Sequence, residues 1–181
     1  MSLKSNELYV SVDVETLGVY PQDYSLASIG AVVVGNSSKT FYIELKPDKE
    51  NVRQESADIC GFTWKYLNEN GIEPKEAMQK FESWLQKLGG KPVFVGFPVA
   101  FDLMWVGSYF QKYLGRNPFG KTYAGIDIKT YAMAKLGLEF RGQTTKRHLR
   151  SILGSWGGKH THNALDDAKE QAFLFERLLS L

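Results

Sequence analysis

Leu8-Tyr9-Val10-Ser11-Val12-Asp13-Val14-Glu15-Thr16-Leu17-Gly18 is an apolar run that closes on two carboxylates and a glycine. It reads as a β-strand, and residues two apart on a strand project from the same face. Asp13 and Glu15 therefore share a face that would otherwise belong to the core. Ionised carboxylates crowded there repel each other and lose hydration unless something positive joins them. Hard divalent cations with oxygen ligands are the usual answer. An Asp-x-Glu triplet alone is most often solvated surface charge. Here the pair stands at the C-terminal end of its strand, where sites on α/β sheets gather.

Two further segments answer the first. Phe101-Asp102, with Met104-Trp105-Val106 behind it, follows another apolar run, and His162-Asn163-Ala164-Leu165-Asp166-Asp167-Ala168 comes last. Singly, His162 reads as a surface or capping histidine and Asp167 as an exposed helix charge. Their combination with Asp13, Glu15 and Asp102 points to metal-dependent phosphodiester cleavage.

That combination resembles the DEDDh exonucleases, the family of proofreading exonucleases, ribonuclease T and oligoribonuclease within the ribonuclease H-like superfamily. The resemblance covers nearly the whole chain. Leu26-Ala27-Ser28-Ile29-Gly30-Ala31-Val32-Val33 is similar to the family's second strand, and Ala57-Asp58-Ile59-Cys60-Gly61-Phe62-Thr63 to the segment lining its terminal-nucleotide pocket. The spacing from His162 to Asp167 matches the histidine subclass, so Asp167 is preferred over Asp166 as a ligand. The resemblance implies an α/β fold, a ribonuclease H-like mixed sheet with three antiparallel strands followed by parallel ones, flanked by helices.

The same resemblance assigns roles. Asp13, Glu15, Asp102 and Asp167 would hold two divalent metal ions, Mg²⁺ or Mn²⁺, and His162 would be the general base for the attacking water. Thr16 and Leu17, through their main chain, and Gly61 and Phe62 would meet the terminal nucleotide. The expected activity is 3'-5' exonucleolytic release of nucleoside 5'-monophosphates from single-stranded DNA or RNA, including short oligonucleotides. A polymerase-associated proofreading or interaction subunit, or an inactive nucleic-acid-binding relative, are the other readings. A homodimer fits the family. One departure stands out: relatives carry a His-Asn pair shortly before the second-motif aspartate, and this chain has Gly96-Phe97-Pro98-Val99-Ala100 there. The ligand set is untouched, but polar substrate contacts near Asp102 should differ.

Composition sets bounds. At 181 residues and 43% hydrophobic, the chain suits one well-buried core, and a single domain over 1–181 is expected. The start is polar, without a signal or membrane span, so a cytoplasmic address and no membrane partner are expected. The one cysteine, Cys60, excludes an intrachain disulfide and reads as a small buried or pocket-wall residue. The net charge of +2 implies no large duplex-binding surface. From Arg141 to Arg150 the sequence is nonetheless basic and free of acids. Lys146, Arg147 and Arg150 are there either as a solvated face or as phosphate contacts.

Periodicity places strands at 8–14, 27–34 and 39–45, with a turn at 35–38, then further strands at 93–97 and 126–128. A helix over 74–88 repeats Ala77, Met78, Phe81, Trp84, Leu85 and Leu88 at helical spacing, a stripe that belongs to the core. Helices are also expected at 101–113, at 130–136 and after His162, where Leu165, Ala168, Ala172, Phe175, Leu178 and Leu179 form an apolar face. Asp127 is read as structural or as an acid that supports the ligands from behind. Trp156 packs on its own protein or stacks on a base, and the loop 155–158 is either an ordinary connection or gives His162 freedom to swing.

Overall fold

The strand beginning near Leu8 is the centre of a five-stranded sheet in the computed structural model, which describes residues 6–120, 124–157 and 162–181. The strands are β1 (Glu7–Thr16), β2 (Leu26–Val33), β3 (Asn36–Glu44), β4 (Lys91–Gly96) and β5 (Gly125–Asp127), in the order β3-β2-β1-β4-β5. β1, β2 and β3 are antiparallel neighbours, whereas β4 and β5 run parallel to β1. This is the mixed sheet expected. Seven helices accompany it among the described residues: α1 (Gln54–Cys60), α2 (Trp64–Asn70), α3 (Pro74–Lys87), α4 (Val99–Leu114), α5 (Ile128–Leu136), α6 (Lys146–Leu153) and α7 (Ala164–Leu179). No helix among the described residues is long and apolar enough to cross a membrane.

Alternation along β1 sorts its side chains as the pleat requires. Val10, Val12 and Val14 enter one core with Ala77, Met78 and Phe81 of α3 and Trp105 and Phe110 of α4. On the other face, Tyr9 meets Phe175 of α7 edge-on at 5.6 Å, and Asp13 reaches Gln171 of the same helix. The second core joins Val95 to α5, α6 and α7 through Ile128, Leu149, Leu153, Leu174 and Leu178.

Three differences from the sequence reading have local causes. β3 begins at Asn36, because Val33 already pairs with Asn36 across a turn whose Gly35 takes φ 77°. α4 begins at Val99, two residues early: Pro98 caps it with φ −76°, and the Val99 N–H donates to Asp127 Oδ2 at 2.9 Å. Asp127 Oδ1 also accepts from the Thr130 N–H and hydroxyl, so this acid ties the starts of α4 and α5 together. α1, α2 and α6 were not foreseen. Each has seven or eight residues, and α6 hides its buried Leu149 and Leu153 inside the basic run.

One glycine decides where α7 lies. Gly30 on β2 is the register partner of Asp13. A Cβ there would stand 2.2 Å from the backbone of Ala164 and Leu165, so the first turn of α7 rests directly on the strand. Gly30→Ala should therefore push α7 off the sheet, costing about 1–3 kcal/mol by overpacking. Urea denaturation measures this, and an unchanged midpoint would show that α7 can shift without cost. Because α7 carries Asp167, the same variant should also lose activity.

Candidate active site

β1 runs past the end of β4. Their pairing stops at Ser11↔Val95, while β1 continues to Thr16 and carries Asp13 and Glu15 beyond it. α4, which leaves the end of β4, brings Asp102 back to this overhang. Asp102 Oδ1 accepts the Val14 N–H at 3.1 Å, a bond between residues 88 positions apart. α7 supplies Asp167 from its first turn. That helix is capped by Asn163, whose side chain accepts from the N–H groups of Leu165 and Asp166.

Asp13, Glu15 and Asp167 each offer a carboxylate oxygen, all within 4.8 Å of one another. Asp102 borders this group, close enough for its charge and that of Asp13 to be felt by each other. Asp102 and Asp167 are each 4% exposed. Burial, then Asp167, pushes the Asp13 carboxyl up to about 8. Burial, then Asp13 and Asp167, pushes Glu15 up to about 8 as well, and burial followed by Asp13 raises Asp102 well above the ordinary carboxylate range. An all-oxygen donor set that resists its own ionisation suits a hard divalent cation, which would replace the protons.

Raised acids have a consequence for stability. The folded chain holds protons at Asp13 and Glu15 that the unfolded chain, with carboxylates near 4, gives up. Their contribution is full below about pH 4 and is lost as pH rises through about 8. In the presence of chelator, the urea midpoint should fall between pH 5 and pH 8. Added Mg²⁺ or Mn²⁺ should restore more stability at pH 8 than at pH 5. A midpoint independent of pH over this range would mean that the acids are not strained.

His162 stands one residue outside the Asn163 cap, exposed, with φ 49°. It is not a member of the oxygen cluster. Left-handed backbone at a non-glycine residue is uncommon, and such conformations concentrate at functional sites. Of the loop 155–158 preceding it, Gly158 lies outside the described residues. Trp156 lines a cavity of about 490 Å³ with Val32, Ala172 and Phe173, against its own protein.

Thr16 and Leu17 close the strand against α1. The Leu17 N–H donates to the Ser25 carbonyl, its own carbonyl accepts from the Arg53 N–H, and its side chain is fully buried with Ala57, Cys60 and Leu67. These main-chain groups of Leu17 are thus spent within the protein, which narrows the contact expected there. Cys60 is buried, its thiol directed at the carbonyls of Ala57 and Thr16. Beside it, Gly61 ends α1 with φ 71°. Gly61, Phe62, Thr63 and Trp64 line a cavity of about 530 Å³, and Phe62 stacks on Tyr66 at 6.0 Å.

The basic run is acid-free in sequence but not in space. Lys146 Nζ lies 3.0 Å from Asp167 Oδ1 and 3.3 Å from Glu170 Oε2, and the Arg150 guanidinium grips Glu170. Of the three residues expected to face solvent or phosphate, Arg147 alone is exposed. Sequence reasoning also missed Glu170 and Gln171. Gln171 is fully buried and donates to Asp13 Oδ1 at 2.5 Å. A signal was present: Glu170 and Gln171 stand three and four residues beyond Asp167, on the same side of the helix.

Comparison with known proteins agrees with this architecture. Residues 8–179 match the family model described as the 3'-5' exoribonuclease Rv2179c-like domain. A relative named 3'-5' DNA exonuclease Cap18, from Escherichia coli, is 37% identical over 172 residues, covering 93% of this chain and 90% of its own. A PolC-type DNA polymerase III from Thermotoga petrophila is 29% identical over 178 residues, 97% of this chain but 12% of the polymerase. Among solved structures, the nuclease domain of 3'hExo, a DEDDh family member bound to rAMP, superposes with a TM-score of 0.78 at 14% identity, covering 99% of this chain and 94% of that one. The family match takes in both the β1 and the α7 sides of the carboxylate cluster, and the chain belongs to the 3'-5' exoribonuclease Rv2179c-like domain family of 3'-5' exonucleases.

Proposed function

We propose that the chain acts, as one domain over 1–181, on the free 3' end of single-stranded DNA or RNA and on short oligonucleotides, releasing nucleoside 5'-monophosphates. The observation that carries this reading is the meeting of Asp13, Glu15 and Asp167 within 4.8 Å, bordered by Asp102. Two divalent cations, Mg²⁺ or Mn²⁺, would be held by these four acids and would supply positive charge to the scissile phosphate and the departing 3'-oxygen. His162 accepts the proton of the attacking water. Histidine is the side chain most often used as a general base in such a step. The cavity of Gly61, Phe62 and Thr63 takes the terminal base, with the Phe62 ring as a stacking surface.

Arg147, the exposed member of the basic run, is the one we assign to a phosphate upstream of the cleaved end. Arg147→Ala should weaken longer oligomers more than dinucleotides and lower the salt slope of binding by about 0.7. Equal binding at every length and salt concentration would assign Arg147 to solvent. The family description names RNA and the E. coli relative DNA. Matched end-labelled oligomers differing only in the 2'-hydroxyl, digested with Mg²⁺, with Mn²⁺ and with chelator, test the reading and decide between the two sugars. Stepwise shortening from the 3' end that stops with chelator is the expected result; endonucleolytic fragments, or cutting that survives chelation, would overturn it. The polymerase relative supports a second reading, a proofreading role beside a polymerase. Full activity of the isolated chain on plain oligomers would count against that.

A further inference from the structure

The buried acid Glu170 has no place in the oxygen cluster, although it lies one helical turn from Asp167 and is only 2% exposed. A carboxylate costs free energy in such a position unless it is paired. Its partners come from α6. Arg150 binds one side of it, and the Lys146 ammonium bridges from Glu170 Oε2 to Asp167 Oδ1, the oxygen's own neighbour in the proposed metal set. Lys146 is placed there by the fold. It opens α6, whose start is capped by the Thr145 hydroxyl and whose Leu149 and Leu153 are locked into the core against α7. Its side chain is 21% exposed, so the ammonium is held inside the cleft and not at its mouth.

We infer that Lys146 is a resident counter-ion of this site: its ammonium competes with the divalent cation for Asp167, and Glu170, fixed by Arg150, is the second seat to which it withdraws. This inference rests on the metal reading proposed above. A cation that takes Asp167 Oδ1 has to displace the ammonium from that oxygen and then tolerate a positive charge nearby. Glu170 lowers the cost of that displacement by keeping the ammonium paired. The lysine thereby sets how tightly metal is held and acts as a positioning residue. Removing its charge should tighten metal binding, the opposite of what loss of a ligand does.

Calorimetric titration of Mn²⁺ into the full chain reads this without any assay of cleavage. Lys146→Met keeps the length of the apolar stem and should bind Mn²⁺ about tenfold more tightly or better, given the size of unscreened charge repulsion at such range. Lys146→Arg keeps the charge and should stay near wild type. Arg147→Met removes the same charge from the exposed side of the same helix and should also stay near wild type. Glu170→Gln should weaken Mn²⁺ binding, and that loss should shrink in a Lys146→Met background, because the second seat matters only while the ammonium is present. Unchanged or weaker Mn²⁺ affinity in Lys146→Met overturns the inference, as does an equal rise in Lys146→Arg or Arg147→Met. Absence of Mn²⁺ binding by the wild-type chain overturns the metal reading itself, and the inference with it.

Discussion

Asp13→Ala and Asp102→Asn should each cut the rate of 3'-end cleavage by about a thousandfold or more, since each removes one donor for the charge that the reaction needs at the phosphate. Their effects on stability should differ. Asp13 is crowded by Glu15 and Asp167, so its removal relieves repulsion, which offsets the loss of an acceptor for the buried Gln171 amide, and the metal-free urea midpoint should hold at pH 8. Asp102 is also the acceptor for the buried Val14 N–H. Truncation to alanine would orphan that donor at a cost of about 1–3 kcal/mol, whereas asparagine keeps an oxygen in place. Asp102→Asn should therefore fold like wild type, with Asp102→Ala less stable. A variant of either acid that turns over at the wild-type rate would remove the carboxylate cluster from the chemistry.

His162→Asn should slow cleavage by about a hundred- to ten-thousand-fold, the usual contribution of a placed general base, while Mn²⁺ affinity stays within about twofold. Asparagine is the informative replacement because His162 has φ 49°, a conformation that asparagine tolerates better than most residues. Loss of the imidazole is then separated from distortion of the Asn163 cap that follows it. A rate assay beside calorimetry distinguishes the roles. If metal affinity collapses together with the rate, His162 is a ligand and not a base.

What the sequence revealed was whatever depends on near neighbours. Strand alternation around Asp13 and Glu15 and the helical stripe of residues 74–88 are local patterns, and each has its counterpart in the structure. The inward turn of Lys146 and Arg150 was hidden because their partners lie 20 or more positions away on α7, and nothing in residues 141–150 records that α6 packs there. Replacement of the usual His-Asn pair was visible, but its structural use was not. Pro98 and Val99 start α4, and the Val99 N–H finds Asp127 across 28 positions. Asp127, read from sequence as structural, is the acceptor.

The bond from Gln171 to Asp13 spans 158 positions, and the α7 backbone rests on Gly30 next to it. The candidate site is thus assembled from segments far apart in the chain, with Asp102 of α4 between them. Closing so long a loop is an entropic step that comes late and is repaid only when the helix docks. A chain whose α7 has not docked lacks both Asp167 and the clamp on Asp13. Until α7 docks, the cluster of Asp13, Glu15 and Asp167 is incomplete, so the candidate site is a product of tertiary closure and belongs to no local segment.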